Sequence, residues 1–559
     1  MRSLATDTVS DDAGLARLAE AWTALRAITP HASAFQSFAW IDAYRAVLRP
    51  RGRRLHVLIV RDGGEPVAIL PCDLGPHGDL RLLGEPLSNY QGPVHRPERV
   101  TDLVEALATL LGAPSRAVRL LDFGGLVERS PFLAALRTLR VPGWSPAFVV
   151  RTATCPYVDL AGGWTTVFER RTSGSRRQLA RKWKALGRLG RLEFGEAGDP
   201  ARVRQLLPEL FKLFRQRWQG RHESGGFADR FRDFHLRAAP ALAAAGEARI
   251  SHLVLDGHVV AFYYAVRADG GIASYVIGHD DVLGSFSPGQ LMLIRALEAA
   301  CVRGEREYDL SLGEESYKDE WASGARGVFR VFAWRRRSTG ALHGRARALT
   351  TEAWVRARSI GWLRDLRREG LRRMLAGPPP LEARPDTPGI GAGEPGRWVV
   401  HHLEPGAPAE GIVVRAWSFG ELCDALSPRL LALATERFYR GDPLLAVYRD
   451  ETLVGVVWRA SPARRALVTF GHEPVPSEPV YYQPLPVGRG LGVLVQALAA
   501  TERGFTLVAR VPRLADVGSR VEACFVGDLR FAPLGRARTA LSALGALHRG
   551  DDALDVARA

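Results

Sequence analysis

The chain has 559 residues, with 76 Lys or Arg against 60 Asp or Glu, for a formal net charge of +16. That length exceeds one ordinary core and predicts about three to four units of ~150 residues, and 46% hydrophobic with 24% charged residues excludes a disordered chain. The positive balance asks for an anionic partner, and coenzyme A, transfer RNA and a membrane surface all satisfy it.

No apolar run approaches the ~18 to 20 residues of a membrane span, and an N-terminus with Asp7, Asp11 and Asp12 is not a signal peptide. The expected location is therefore cytoplasmic, with peripheral membrane contact left open. Cys72, Cys155, Cys301, Cys423 and Cys524 are scattered, without metal-ligand or redox spacing. That argues against a disulfide framework, a zinc site and thiol redox chemistry.

A first unit is expected over residues 1–150. Helical periodicity runs over 13–27, and Phe35–Trp40 opens a second helix. Leu55–Arg61 and Pro66–Leu74 read as a hairpin about Asp62-Gly63-Gly64, and helices over 98–112 and 131–139 frame a strand at Val118–Phe123. Between extended segments, Ser88-Asn89-Tyr90-Gln91-Gly92 is polar and aromatic. Asn89 and Tyr90 are candidates for an acceptor pocket, against the plainer reading of a surface loop.

The second unit, 151–340, begins with a basic helix over Val167–Leu189, interrupted at Ser173-Gly174-Ser175. Its Arg170, Arg171, Arg176, Arg177, Arg181, Lys182 and Lys184 suit phosphates or simply a solvated face, and Trp183 offers a stacking surface. Helices follow at Gln205–Trp218 and Phe227–Ala245. Ile250–Leu255 and Val259–Val266 then form a hairpin on Asp256-Gly257. Ile272–Ile277 is a third strand, Gly278–Ser287 is small and polar, and Pro288-Gly289-Gln290 opens a helix reaching Val302. Tyr308–Leu312 returns as a strand parallel to its predecessor, and Phe329–Arg335 is a last strand.

That order sets a glycine at a helix N-terminus, where free backbone N–H groups hold anions. Ser287, Gly289 and Gln290 are candidate phosphate contacts, against an ordinary N-cap with proline in the first turn. A polar cluster, Glu314-Glu315-Ser316-Tyr317-Lys318-Asp319-Glu320-Trp321, emerges where open sheets place their ligands.

Residues 341–375 read as an Arg-rich helical segment with Trp354, Trp362 and Leu366 on one side, and 376–397 as a Pro/Gly linker. The third unit, 398–559, repeats the style of the second. Gly411–Arg415 is a strand, Phe419–Phe438 mostly helix, and Leu444–Tyr448 with Leu453–Trp458 a hairpin about Asp450-Glu451. Pro479–Pro484 is extended, Gly488-Arg489-Gly490-Leu491-Gly492 is a turn into a helix over Val493–Thr501, and Phe505–Val511 is a strand.

Ser287-Pro288-Gly289-Gln290-Leu291, then Tyr308-Asp309-Leu310-Ser311-Leu312-Gly313, then Tyr317-Lys318-x-x-Trp321 resembles the GNAT-type acetyltransferase branch related to the cellulose-biosynthesis CelD proteins, over about residues 15–340. The resemblance implies an α/β (α+β) fold of tandem GNAT-like mixed twisted sheets flanked by helices. The first half, without a coenzyme loop, would pack on the second as in Fem-type peptidyltransferases, and a C-terminal GNAT-like domain, degenerate or coenzyme-binding, would follow the linker. The usual pyrophosphate signature, Gln or Arg, two residues, Gly, one residue, Gly or Ala, is absent before Leu291. In the third unit Val487 stands where that signature wants Gln or Arg.

The implied function is N-acyl transfer from acetyl-CoA or another acyl-CoA as cosubstrate, without metal, to a small-molecule or saccharide amine. A Fem-type aminoacyl-tRNA-dependent transferase is the rival within enzymes. A non-catalytic accessory protein of polysaccharide or envelope synthesis is the rival outside them.

Acyl transfer needs a donor to the thioester carbonyl, a base for the ammonium and an acid for the departing thiolate. Tyr317 is the candidate acid and Glu314 or Glu315 the candidate base. Asp309 is expected to orient either one or to hold the amine, and Lys318 to meet a phosphate or a substrate carboxylate. The plainer readings are a Tyr317 that caps the core and glutamates that are solvated or favour a helix start. His222, His235, His252, His258 and His279 have no triad or metal spacing.

Overall fold

The computed structural model describes residues 4–48, 52–114, 117–218, 226–313, 315–359, 396–403, 411–426, 428–462, 479–486, 491–499, 505–509 and 520–527. Residues 376–395 of the expected linker and the Arg-rich segment beyond 359 lie outside the described residues, as do Glu314, His222 and Val487–Gly490, while Gly396 and Arg397 begin a strand.

The N-terminal residues divide between two sheets. Leu4–Val9, Val57–Asp62, Glu65–Leu70 and Val94–His95 form a four-stranded antiparallel sheet. Arg54–Leu55, Cys72–Leu74, Asp79–Leu82 and Leu120–Val127 instead end an eleven-stranded sheet. The strand expected over Pro66–Leu74 thus changes sheet at Pro71, which has no N–H to continue a ladder.

The rest of the large sheet comes from β1 (Phe148–Asp159), β2 (Leu192–Ala197), β3 (Ala248–Leu255), β4 (His258–Ala268), β5 (Gly271–His279), β6 (Glu307–Asp309) and β7 (Gly324–Trp334), with α1 (Ser173–Leu189) and α2 (Pro288–Val302) on its faces. Their order is β2-β3-β4-β5-β6-β1-β7, and β7 continues onto Leu120–Val127. β3 and β4 meet at Asp256-Gly257, both at positive φ (48° and 82°), the turn that the sequence signals. β4 is buried on both faces through Val260–Val266, which is why its sequence is a continuous apolar run.

β1 has no counterpart in the sequence reading. Its Pro156 and interleaved Arg and Thr obscure the strand pattern, yet Pro156 falls just outside the Tyr157–Asp159 stretch that pairs with β6. The missing N–H therefore breaks no ladder bond there.

The C-terminal residues build a seven-stranded sheet from β8 (Gly396–Leu403), β9 (Ile412–Ala416), β10 (Leu444–Arg449), β11 (Thr452–Arg459), β12 (Val480–Pro486), β13 (Phe505–Ala509) and β14 (Arg520–Gly527), with α3 (Pro428–Tyr439) and a helix at Leu491–Ala499. The order is β9-β10-β11-β12-β13-β8-β14. It repeats the central order strand for strand, and every pairing has the same sense, with β5–β6 and β12–β13 the parallel pair of each. β8 and β14 are additions to the sequence reading.

The β5–β6 ladder is short: Gly271↔Glu307, Ile272↔Tyr308 and Ala273↔Asp309. β5 then runs on to His279 while the other chain turns away. The strand expected over Tyr308–Leu312 ends at Asp309: Leu310 N still donates to Pro156 O on β1, but Pro156 has no N–H to return the bond, and Ser311 adopts a φ of 60°. At the start of the ladder a Cβ on Gly271 would lie 1.9 Å from the Glu307 carbonyl oxygen, backbone that has nowhere to move. Gly271→Ala is accordingly expected to lower stability by ~3 kcal/mol in urea unfolding, at the upper end of ordinary overpacking.

Candidate functional site

The candidate site lies where β5 and β6 part. Asp309, the last paired residue of β6, is 1% exposed. Its Oδ2 accepts from the Tyr90 hydroxyl at 2.7 Å and its Oδ1 from the Ser311 backbone N–H at 2.6 Å. The Arg326 guanidinium stands 3.9 Å away but is chiefly committed to Glu307. Asn89 Nδ2 donates to Ser311 Oγ at 2.7 Å. Asn89 and Tyr90, singled out on composition alone, thus reach across from the N-terminal half to the two polar residues of the parting strand.

Burial sets the electrostatics here. It pushes the Asp309 carboxyl up to about 6, against the opposing pull of Tyr90, Ser311 N–H and Lys318. Burial likewise holds the Tyr90 hydroxyl well above its ordinary range and pushes the neighbouring Cys155 thiol up to about 12, so both stay neutral.

The cluster after β6 is compact. Lys318 is 4% exposed; its Nζ donates to Leu312 O at 2.6 Å and pairs with Glu315 at 3.0 Å. Glu315 itself is exposed, and Tyr317 is half-buried against the central core. All three sit in or beside the short helix Ser316–Trp321.

Beyond the parting, β5 leads through Asp281–Phe286, a pair of 3-10 turns that buries Leu283 and Phe286, into α2. Ser287 enters α2 with a φ of 54°, and its hydroxyl makes no cap bond; instead it accepts from Lys182 Nζ at 2.6 Å. Gly289 packs its α-carbon near the His279 ring, and Gln290 N donates to Ser287 O at 3.0 Å.

The lysine that reaches this loop is therefore Lys182, on α1. Burial lowers its pKa, and among the described residues no carboxylate pairs with it. Two other features of the basic stretch have partners: Arg171, just before α1, lies over Trp321 at 4.5 Å and pairs with Glu320, and Trp183 lies under Arg295 at 4.3 Å. Only its position on one helical face distinguishes Lys182 from its neighbours in sequence.

Among the described residues there are three short parallel ladders, and their third pairs differ. They are Arg81↔Asp122 in the N-terminal part, Ala273↔Asp309 in the centre and Tyr482↔Val508 in the C-terminal sheet. Asp122 is fully buried but held by Arg330 at 2.5 Å and Arg347 at 2.7 Å, with Glu85 sharing Arg330. Val508 brings no charge. Asp309 is the one of the three that combines a carboxylate with neutral hydroxyl and N–H partners. A cavity of about 590 Å³ lies elsewhere, between Asp12, Arg45, Arg53 and His56. Among the described residues no group of three or more His, Cys, Asp and Glu is arranged for a metal, and no helix is long and apolar enough to cross a membrane.

A mixed sheet whose parallel pair opens beside a helix N-terminus sets a strand end against backbone N–H groups. Residues 173–319, from the start of α1 to the cluster after β6, match the family model described as an acetyltransferase (GNAT) domain, and that match supports the acyltransferase class. No curated protein matches the chain.

Among solved structures, the chain is similar to FemX (12% identity, 58% of this chain and 96% of that one, TM-score 0.40). It is also similar to L-PGS from Bacillus licheniformis (14%, 61% and 96%, 0.39). A third is a tandem GNAT protein from the clavulanic acid biosynthesis pathway (14%, 59% and 98%, 0.31).

The raised Asp309 pKa has a stability consequence. Its protonated form is the one the fold favours, so the associated stability is complete below the unfolded value of ~3.9 and is lost as pH rises through about 6. Asp309→Asn cannot titrate. Relative to wild type, the variant should gain about 2 kcal/mol in urea unfolding between about pH 4.5 and about pH 8, and a difference independent of pH would contradict the shift.

Proposed function

We propose that the protein is an acyl-CoA-dependent N-acyltransferase whose site lies between β5 and β6. The observation that carries this reading is the parting of the ladder after Ala273↔Asp309, within the segment that matches the GNAT model. From Ser274 to His279 the β6-facing edge of β5 has no strand partner among the described residues, and its peptide groups suit the amides of a pantetheine arm. The residues at the end of that edge fit the diphosphate: the N-terminal N–H groups of α2 around Gly289 and Gln290, the Ser287 hydroxyl and the Lys182 ammonium. Pro288 removes one backbone donor from the loop, and Lys182 supplies a cation in its place.

Asp309 takes the proton of the acceptor ammonium, held in place by Tyr90 and Ser311 N–H, and its elevated pKa suits a base working near neutral pH. Tyr317 protonates the leaving thiolate. Lys318 and Glu315 shape the loop between them, and Asn89 with Tyr90 bounds the acceptor side. The acceptor is a small-molecule or saccharide amine, in keeping with the CelD-like resemblance.

Calorimetry with coenzyme A and acetyl-CoA tests the reading: micromolar binding is expected, and Lys182→Ala should raise Kd about tenfold, equivalent to ~1.4 kcal/mol. Release of free thiol in the presence of amino sugars measures turnover. Asp309→Asn should bind coenzyme A as wild type does yet lose at least about 100-fold in rate. The wild-type rate should climb with pH through about 6 as Asp309 ionises. No heat with any thioester would end the proposal.

A further inference from the structure

The C-terminal sheet duplicates the topology of the central one, yet has Val508 at the register position of Asp309. Copying the frame without the carboxylate points to a use other than the same chemistry. Its contacts indicate which.

α3 lies against Asp281–Phe286. The Thr435 hydroxyl, fully buried, donates to the Val282 carbonyl. Tyr439 meets Phe286 edge-on, with centroids 4.9 Å apart. Leu283 and Phe286 are wholly buried in one continuous core with Phe419, Leu422, Leu431 and Ala434. A second attachment sits at the β3–β4 turn: Asp256 accepts from Arg191 N at 2.7 Å through one oxygen and from Gly420 N at 3.1 Å through the other. His258 beside that turn faces the Phe419 ring at 6.1 Å.

The loop gripped in this way needs outside support. It is two short 3-10 turns with a non-helical residue at Leu283, and it ends at Ser287 in the left-handed region. For a residue with a Cβ that conformation is strained, and the Ser287 side chain makes no cap bond to offset it. Burying Phe286 and Leu283 under α3 and hydrogen-bonding the Val282 carbonyl favours this conformer over its alternatives.

We propose that the C-terminal seven-stranded unit is a clamp rather than a second catalytic centre: through Thr435 and Tyr439 it holds Asp281–Ser287 in the conformation that receives the coenzyme diphosphate. The ligand half of this inference rests on the acyl-CoA reading above; the clamp half does not. Thr435 and Tyr439 are positioning residues, acting through Val282 and Phe286.

The test uses the full chain and two measurements, coenzyme A affinity by calorimetry and hydrogen–deuterium exchange of the peptide covering 281–287. Thr435→Val combined with Tyr439→Ala should speed exchange in that peptide and raise Kd for coenzyme A about tenfold, because only the fraction of molecules with the loop in place is competent to bind. Thr435→Ser, which keeps the hydroxyl, should restore most of both in the presence of Tyr439. A general loss of folding is recognised by accelerated exchange in β3 and β4 as well, and the single Thr435→Val variant then decides.

Unchanged exchange at 281–287 in a folded variant overturns the clamp. Faster exchange with an unchanged Kd overturns its link to the coenzyme. A wild-type chain that binds no coenzyme A, yet shows the exchange difference, removes the acyl-CoA reading and leaves the clamp standing.

Discussion

Everything at the candidate site follows from how briefly two parallel strands stay together. β5 and β6 share three residue pairs, and Gly271, whose missing side chain admits the Glu307 carbonyl, lets the ladder begin. It ends where Ser311 turns, after a last bond from Leu310 to Pro156 on β1. A longer ladder would close the edge of β5, and none at all would leave β6 held in the sheet by β1 alone. The buried carboxylate is tolerable because two neutral donors satisfy it, one of them from a segment some 220 residues earlier in sequence. Burial without full compensation is what moves its pKa toward neutrality.

The stretch from β3 to α2 is legible in the sequence because local signals agree there. Asp256-Gly257 calls for a tight turn, β4 is apolar on both faces, and proline and glycine open α2 after a small polar loop. Periodicity and turn chemistry suffice for such elements. β1 was not legible, since its proline and mixed polar pattern make sense only beside β6 and β7. The split of Pro66–Leu74 between two sheets was hidden for the same reason: which sheet a strand joins is a tertiary matter.

Individual residues show the same division. Tyr90 and Asn89 stood out by type, but the identity of their partners depends on the packing of the halves. Lys182 is one cation among six in its helix, and the fold sets it against Ser287. Lys318 is expected from the sequence to meet a phosphate or a substrate carboxylate, and the fold shows its bonds within the loop it follows, to Leu312 and Glu315. The covering of Phe286 by Tyr439 had no sequence signal at all.

One feature of the large sheet bears on how the polypeptide assembles as it leaves the ribosome. β7 pairs on one side with β1 and on the other with Leu120–Val127, so that Val127 waits for Val328, roughly 200 residues downstream. Until β7 is made, both of those earlier strands present open hydrogen-bonding edges, the kind of surface that recruits other chains. The N-terminal part therefore cannot complete itself as an early, independent folding unit. Maturation should instead come in one late cooperative step once residue 334 has emerged, a schedule typical of high contact order and demanding of chaperone protection.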